Sequence, residues 1–334
     1  MGPMHATAKA HPNIALVKYW GKRDQALNLP AAGSLSVTLE GLSTTTSVRF
    51  DPALDADQII LDDIRLESGR PRQRIVDFLD LVRSPAGLTH RAVVQSENDF
   101  PTAAGLASSA SGFAALAVAA SHAAGLDWSD RRLSALARRG SGSAARSLFG
   151  GFVEMLAGTE DDGADAHAVP IASSQHWQLR CIVALTATGQ KEIGSTEGML
   201  RTQKTSPLFE PWRATVADDI ATARRAIDDR DFELLATIAE RSCLRMHATA
   251  LGADPGILYW NPTTVRLIHS IRRARRGGLS CFFTIDAGPH IKVFCPADQA
   301  DDVARLLQTT DGVRDVLRTR PGPGAHLCDA SRFE

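Results

Sequence analysis

No stretch of this 334-residue chain approaches the roughly 18 consecutive apolar residues that a membrane-spanning helix needs. The leading MGPMHATAKAHPN has no apolar signal core either. Excess charge is also lacking. The 37 Lys and Arg residues against 38 Asp and Glu leave a net charge of -1, so no overall field points to nucleic acid or to an anionic membrane. Any anionic ligand must therefore be held by local cations. The cysteines, Cys181, Cys243, Cys281, Cys295 and Cys328, are odd in number and never spaced C-x-x-C. That pattern argues against structural zinc and for free thiols in a reducing compartment, so a soluble cytoplasmic protein is expected. No repeat with a period of 20–50 residues stands out.

What is present is a 44% hydrophobic fraction, enough for a substantial core. β-Branched alternation marks strands at 34–42 and 44–50, with a short one at 58–63. Helical spacing of Ile75, Val76, Phe78, Leu79 and Val82 marks a helix over 73–84. A strand at 90–99 runs into Phe100-Pro101, where proline disfavours helix. Helices follow at 105–124 and about 129–139, then strands at 150–156 and 177–187. The acidic 158–167 loop between them reads as solvated surface. Helices at 209–228, 231–250 and 262–276 precede a strand-turn-strand pair at 281–288 and 290–295, a helix at 298–308 and a strand near 313–319. Hairpins that come before helices favour α+β over a doubly wound parallel sheet. No Gly/Pro-rich linker divides the chain, so two lobes sharing an interface near residue 180 are expected. The arginines at 272, 273, 275 and 276 end an amphipathic helix, where cations favour the helix dipole.

The segment PTAAGLASSASG (101–112) crowds small hydroxyl residues and glycines into the start of an otherwise apolar helix. Serine commonly caps a helix. A helix start also offers free N–H groups and partial positive charge to a phosphate, and Gly105 would let backbone approach it closely. Ser108, Ser109 and Ser111 could add hydroxyl donors, and a serine oxygen can face magnesium. The segment is not a Walker loop, because G-x-x-x-x-G-K-[ST] is absent.

Pro101-x-x-x-Gly105-Leu106-x-Ser108-Ser109-Ala110-Ser111 resembles the phosphate loop of the GHMP kinase superfamily. HPNIALVKYWGKRD (11–24), GSGSAARSLFGGFVEM (140–155), FTIDAGPHIKVF (283–294), GSTEGM (194–199) and the segment at His247 narrow the resemblance to the mevalonate diphosphate decarboxylases. It implies a two-lobed GHMP kinase-like α+β fold, with a ribosomal-protein-like first lobe over 1–180, a ferredoxin-like second lobe over 181–334 and a deep cleft between. It also implies ATP as co-substrate, Mg²⁺, and a homodimer. No nucleic-acid or membrane partner is implied. The reaction would be ATP-dependent decarboxylation of mevalonate 5-diphosphate to isopentenyl diphosphate, through phosphorylation of the 3-hydroxyl.

Several residues read two ways from sequence. If 18–22 is extended, Lys18, Trp20 and Lys22 share a face and Tyr19 takes the other. That suits a surface strand, or, by the resemblance, a cleft wall where Tyr19 and Lys22 meet the diphosphate and Lys18 the reacting end. Arg146 could be a surface arginine, but its planar fork also matches a carboxylate. The resemblance assigns it the substrate carboxylate, with Ser143 and Ser195 on substrate oxygens and Asn13 orienting it. Asp286 ends an apolar strand before Ala-Gly-Pro. It could serve the turn, or, being buried, require a cationic partner such as Lys18. By the resemblance it lies at the substrate's tertiary hydroxyl. The same resemblance implies Gly105, Leu106, Ala107, Ser108, Ser109, Ser111 and Lys191 for ATP, whereas the metal would rest on a serine, Ser109, with phosphate oxygens and water. Ala32-Gly33 departs from many relatives, which carry polar side chains there, and no acidic residue stands in the phosphate loop. Within the family, a phosphomevalonate decarboxylase or a mevalonate 3-kinase remains an alternative. A non-catalytic ligand-binding protein is the rival outside it.

Overall fold

The computed structural model describes residues 4–100, 108–187, 189, 192–329 and 333. Its first half runs β1 (His5–Ala10), β2 (Asn13–Val17), β3 (Lys22–Asp24), β4 (Leu29–Pro30), β5 (Ser34–Glu40), β6 (Thr44–Asp51), β7 (Gln58–Leu61), β8 (Ile64–Arg65), α1 (Arg70–Ala86) and β9 (Arg91–Asn98). It continues with α2 (Ser108–Ala123), α3 (Asp130–Gly140), α4 (Ala144–Ser147), β10 (Phe152–Met155) and β11 (Ala168–Ala172). The second half holds β12 (Leu179–Leu185), α5 (Ser195–Thr205), α6 (Phe209–Asp228), α7 (Phe232–Leu251), α8 (Pro262–Arg276), β13 (Phe282–Ile285), β14 (Ile291–Pro296), α9 (Ala300–Gln308), β15 (Asp315–Pro321) and β16 (His326–Cys328).

The fold is α+β, as expected. One sheet has the order β16-β1-β6-β9-β7-β8, and its β7–β9 pairing is parallel. The other runs β11-β10-β5-β15-β12-β14-β13, with β2 also on β5. Strands from the end of the chain complete both sheets. β15 pairs with β5 through Arg320↔Glu40 and Pro321↔Leu39, and β16 pairs with β1. The two halves thus share backbone ladders as well as side-chain contacts.

Each sheet buries a face against helices. Val48 and Phe50 of the first pack with Phe78, Leu79 and Phe113 of α1 and α2. α2 packs on β1 and β6, and its alanines are apolar on nearly all sides, the pattern of a helix surrounded by protein. Val37 and Leu39 of the second sheet pack with Trp212 and Val216 of α6 and Leu235 of α7. Ile182 and Val293 are covered by Leu267 and Ile271 of α8 and Leu307 of α9. Local chemistry sets the helix starts. The Ser129 hydroxyl accepts from Arg132 N, Asp231 accepts from Leu234 N, and Asn261 forms a capping box with Thr264 ahead of Pro262.

The extended reading of 18–22 does not hold. β2 ends at Val17, and Gly21 turns the chain at a φ of +89° that favours glycine. A side chain there would meet the Phe209 ring at 2.6 Å. Lys18 and Trp20 are buried while Lys22 is only half-buried, so the two lysines part company. The 158–167 loop is also more than solvated surface. Buried Arg138 donates to the carbonyls of Gly163 and Ala166, and Arg23 donates to the Glu160 carbonyl.

Candidate active site

β13 delivers Asp286. Its register with β14 sets Thr284 opposite Lys292 and Ile285 opposite Ile291, and the chain then turns, with Gly288 N donating to the Asp286 carbonyl at 2.7 Å. Lys18 Nζ, just past the end of β2, donates to Asp286 Oδ1 at 2.7 Å. Lys292 Nζ, from β14, lies 3.0 Å from Oδ2. Both lysine side chains are 2% exposed, whereas Asp286 is 31% exposed and opens to solvent. Burial alone would raise the Asp286 pKa; the ammonium groups of Lys18 and Lys292 outweigh it and hold the carboxyl well below the usual carboxylate range. Two cations around one anion leave the cluster with a surplus positive charge.

Arg146, on α4, is 2% exposed. Its Nε donates to Asn13 Oδ1 at 3.1 Å and Ser36 Oγ at 2.9 Å, and its Nη1 donates to Ser34 Oγ at 2.7 Å. Asn13 is itself fixed by donating to the Ser143 carbonyl at 2.9 Å and Ser147 Oγ at 2.8 Å. Among the described residues no carboxylate stands within ion-pair distance of Arg146. A buried guanidinium met only by neutral oxygens keeps its charge available to an anion. Burial pushes its pKa down to about 10, and the nearby Tyr19 and Asp286 work against that shift.

Tyr19 lies beside Arg146, whose Cζ is 5.9 Å from the Tyr19 ring centroid. Its hydroxyl is buried with no hydrogen-bond partner among the described residues, and burial pushes its pKa up to about 12. Gly142 makes room for it, since a Cβ there would come 2.3 Å from the hydroxyl. A run of hydroxyls continues outward, Ser143 Oγ to Ser141 Oγ at 3.3 Å and Ser141 Oγ to Ser109 Oγ at 3.4 Å. This links the start of α2 with the turn before α4. Ser195 opens α5, which packs Gly198 against Trp20 and Tyr259.

Lys22 faces a different set of charges. Burial, then the charges of Arg74 and Arg70, push its pKa down to about 8. Arg74 donates to the Gly140 carbonyl at 2.8 Å and stacks over Phe113 at 5.0 Å. Among the described residues none of these three cations is in an ion pair. Nearby, a cavity of about 210 Å³ opens between β6, β9, α1 and α2, lined by Thr44, Ser96, Asn98, Arg74, Ser108 and Ser109 among others. Ser111 faces the protein interior. It is fully buried, and its hydroxyl meets Thr44 Oγ1 at 2.6 Å and the Ser108 carbonyl at 3.3 Å, tying α2 to β6. Gly105, Leu106, Ala107 and Lys191 fall outside the described residues.

Comparison with known proteins decides the family. Residues 10–168 match the diphosphomevalonate decarboxylase-like N-terminal domain, and residues 181–320 match the mevalonate 5-diphosphate decarboxylase C-terminal domain. The chain belongs to the diphosphomevalonate decarboxylase family. The diphosphomevalonate decarboxylase of Aspergillus fumigatus is 40% identical over 334 residues, covering 92% of this chain and 80% of that one. The crystal structure of mevalonate diphosphate decarboxylase from Staphylococcus aureus is 38% identical, with a TM-score of 0.92 over 98% of both chains. A structure of MDDEF in complex with MVAPP, AMPPCP and magnesium is 40% identical, with a TM-score of 0.91 over 98% of this chain and 99% of that one.

Sequence reasoning about this decarboxylase missed Lys292, Ser34, Ser36, Ser141, Arg70 and Arg74. Lys292 carried a signal. A lysine between Ile291 and Val293 in an apolar strand has no solvent face, and lysine is almost never fully buried unless it is paired.

Proposed function

We propose that this chain catalyses the ATP-dependent decarboxylation of mevalonate 5-diphosphate to isopentenyl diphosphate, releasing ADP, phosphate and CO2. The observation that carries the reading is a carboxylate clamped by two buried ammonium groups close to a buried arginine that has no acidic partner among the described residues. The substrate has matching parts, a tertiary hydroxyl, a carboxylate and a diphosphate. Hydroxide is a poor leaving group for direct decarboxylation. Phosphorylating the 3-hydroxyl converts it to a departing phosphate, and the electrons freed by CO2 loss form the double bond.

Asp286 accepts a hydrogen bond from the 3-hydroxyl and aims its oxygen at the γ-phosphorus. Its depressed pKa makes it a weak base, so proton transfer comes late, as the phosphoryl group arrives. Lys18 and Lys292 hold the carboxylate, and their surplus charge stabilises the incoming phosphoryl oxygens. Arg146 binds the substrate carboxylate in a neutral-lined recess set by Asn13, Ser34 and Ser36. Ser143 and Ser195 donate to substrate oxygens. Tyr19 and Lys22 take the diphosphate, and the charges of Arg70 and Arg74 favour a diphosphate over a monophosphate there. Two unit charges 4 Å apart interact by roughly 4 kcal/mol at an effective dielectric near 20, so several unpaired cations are needed to bring two polyphosphates together.

The 210 Å³ cavity suits the nucleoside of ATP, with Ser108 and Ser109 turned towards its phosphates. Gly105, Leu106, Ala107, Ser111 and Lys191 complete the reading by resemblance, Ser111 through its helix. Mg²⁺ takes hard oxygen donors, and the Ser108 and Ser109 hydroxyls at the cavity would supply them together with phosphate oxygens and water. The ion would neutralise phosphate charge. The MDDEF complex with MVAPP, AMPPCP and magnesium supports this co-substrate and metal.

The reading extends to a first lobe over 1–180 and a second over 181–334, a homodimer and a cytoplasmic location. The family matches that break between 168 and 181 support the division. Five unpaired cysteines, and no helix among the described residues long and apolar enough to cross a membrane, support the compartment. The test follows ADP, phosphate and CO2 together, with mevalonate 5-diphosphate and the 5-monophosphate in parallel. Equal release from the diphosphate is expected. ADP without CO2 would make the chain a kinase and sink the reading.

A further inference from the structure

The sheet edge that leads to Asp286 is closed by a helix where a neighbouring strand would ordinarily sit. β13 is the outermost strand of its sheet. On its open side α7 supplies side chains in place of a backbone ladder. Glu240 Oε1 accepts from Phe283 N at 3.3 Å. Cys243 Sγ accepts from Ile285 N at 3.2 Å and donates to the Ile285 carbonyl at 3.6 Å. His247 Nε2 lies 3.2 Å from that same carbonyl. A carbonyl only accepts, so Nε2 carries the proton. Residues 240, 243 and 247 recur at i, i+3 and i+7 along one helix face, and Phe283 and Ile285 are alternate residues whose amides leave the strand on one side.

The same helix reaches the other half of the ion pair, where Ser242 Oγ accepts from Lys18 N at 3.0 Å. One helix therefore grips the main chain at Lys18 and at the residue just before Asp286. Ser242, Cys243 and His247 are all buried. Packing fixes the His247 ring, with Trp260 at 4.8 Å and Tyr259 at 6.2 Å between ring centroids. Burial, reinforced by the Lys18 charge, pushes the His247 pKa down to about 3, so the ring stays neutral near pH 7. Burial also pushes the Cys243 thiol up to about 11, which preserves its S–H donor.

We propose that Ser242, Cys243 and His247 are positioning residues, through which α7 holds both ends of the Lys18–Asp286 pair by the backbone and sets where the carboxylate stands against the substrate hydroxyl. The proposal rests on the functional reading above. A plain core helix would meet β13 with aliphatic side chains. This one meets it with groups matched to individual N–H and C=O groups, and the strand they anchor ends at the reacting carboxylate.

The test compares Cys243→Ala, His247→Phe and Ser242→Ala with Cys243→Ser and His247→Gln, which keep a donor. Each deletion should lower kcat roughly tenfold, leave KM for ATP within about twofold, and be largely rescued by its conservative counterpart where one exists. Amide exchange across residues 282–287 should accelerate in the Cys243 and His247 deletions while that of β12 stays unchanged. Exchange is read without turnover, so it judges the hold even if the wild-type chain releases no CO2, an outcome that would count against the functional reading alone. Should His247→Phe fail to fold, Cys243→Ala and Ser242→Ala carry the comparison. Wild-type kcat despite accelerated exchange would overturn the proposal. So would lost activity with unchanged exchange in the Cys243 and His247 deletions, or lost activity that only tracks the folded fraction.

Discussion

Asp286→Asn preserves shape and removes one negative charge from a cluster that holds two buried cations. Lys18 and Lys292 remain, each 2% exposed, at positions 2.7 and 3.0 Å from what were carboxylate oxygens. Deleting one partner of a buried ion pair costs about 3–5 kcal/mol, because the other charge is left uncompensated. Two stranded ammonium groups push towards the upper end of that range. Solvent reaches residue 286, which is 31% exposed, and the amide oxygen still accepts from one lysine; both push downward. The expected loss of unfolding free energy is about 2–4 kcal/mol near pH 7, read as a lower urea midpoint at unchanged m-value.

The pH dependence has a definite sign. The folded-state pKa of Asp286 is depressed, so its stabilisation is present above the unfolded carboxylate value of about 3.9 and is lost as pH falls through the lower folded value. The variant lacks this group, so wild-type and variant stabilities should converge in acid. Turnover should fall by about 10²–10⁴, or ~3–5 kcal/mol of barrier, while ATP affinity stays within a few-fold because other residues line the cavity proposed for the nucleotide. Turnover within about tenfold of wild type would remove Asp286 from the chemistry, and a stability gap as wide at about pH 2 as at pH 7 would mean that its charge does not hold the two lysines.

Four further outcomes follow from the same geometry. Arg146→Lys loses the fork that bonds Asn13, Ser34 and Ser36, and should lower kcat/KM by about 10²–10³ while a substrate analogue without the carboxylate binds nearly as before. Lys22, with its pKa near 8, loses its charge as pH rises; kcat/KM for the diphosphate should drop above about pH 8, and Lys22→Met should remove that limb. Gly142→Ala drives a methyl into Tyr19 and should raise the substrate KM roughly tenfold, with ATP binding spared. Ser109→Ala should weaken ATP several-fold at unchanged stability, while Ser111→Ala should chiefly cost about 1 kcal/mol of stability through its lost bond to Thr44. Exchange of those last two phenotypes would mean that the hydroxyls of α2 are assigned the wrong way round.

The sequence carried the α+β class and most long elements, because periodicity reports a half-buried strand or an amphipathic helix directly. It was weakest where both faces of a strand are covered. In SLSVTLE hydroxyl residues alternate with apolar ones, a pattern common to strands with one face in water, yet Ser34, Ser36 and Thr38 of β5 are all fully buried. Their side is polar because Arg146 bonds Ser34 and Ser36, a partner more than a hundred residues away. Lys18 and Lys22 could not be separated by alternation, since the turn at Gly21 depends on a positive φ that local hydrophobic pattern does not encode. Asp286 with Lys18 was legible as a buried carboxylate needing a cation. Its second cation, Lys292, required the β13–β14 register, which sets Lys292 opposite Thr284 beside the carboxylate. α5 was hidden in a polar, glycine-containing stretch whose burial comes from Trp20 and Tyr259.

In the proposed reaction ATP turns the substrate's tertiary hydroxyl into the group that leaves as CO2 departs. Mevalonate 5-diphosphate carrying ¹⁸O only in its 3-hydroxyl tests this directly, with mass analysis of the released inorganic phosphate. Phosphorylation at that oxygen predicts one ¹⁸O in each phosphate formed, in step with CO2. Unlabelled phosphate would mean that water took the phosphoryl group and that the 3-hydroxyl was never phosphorylated.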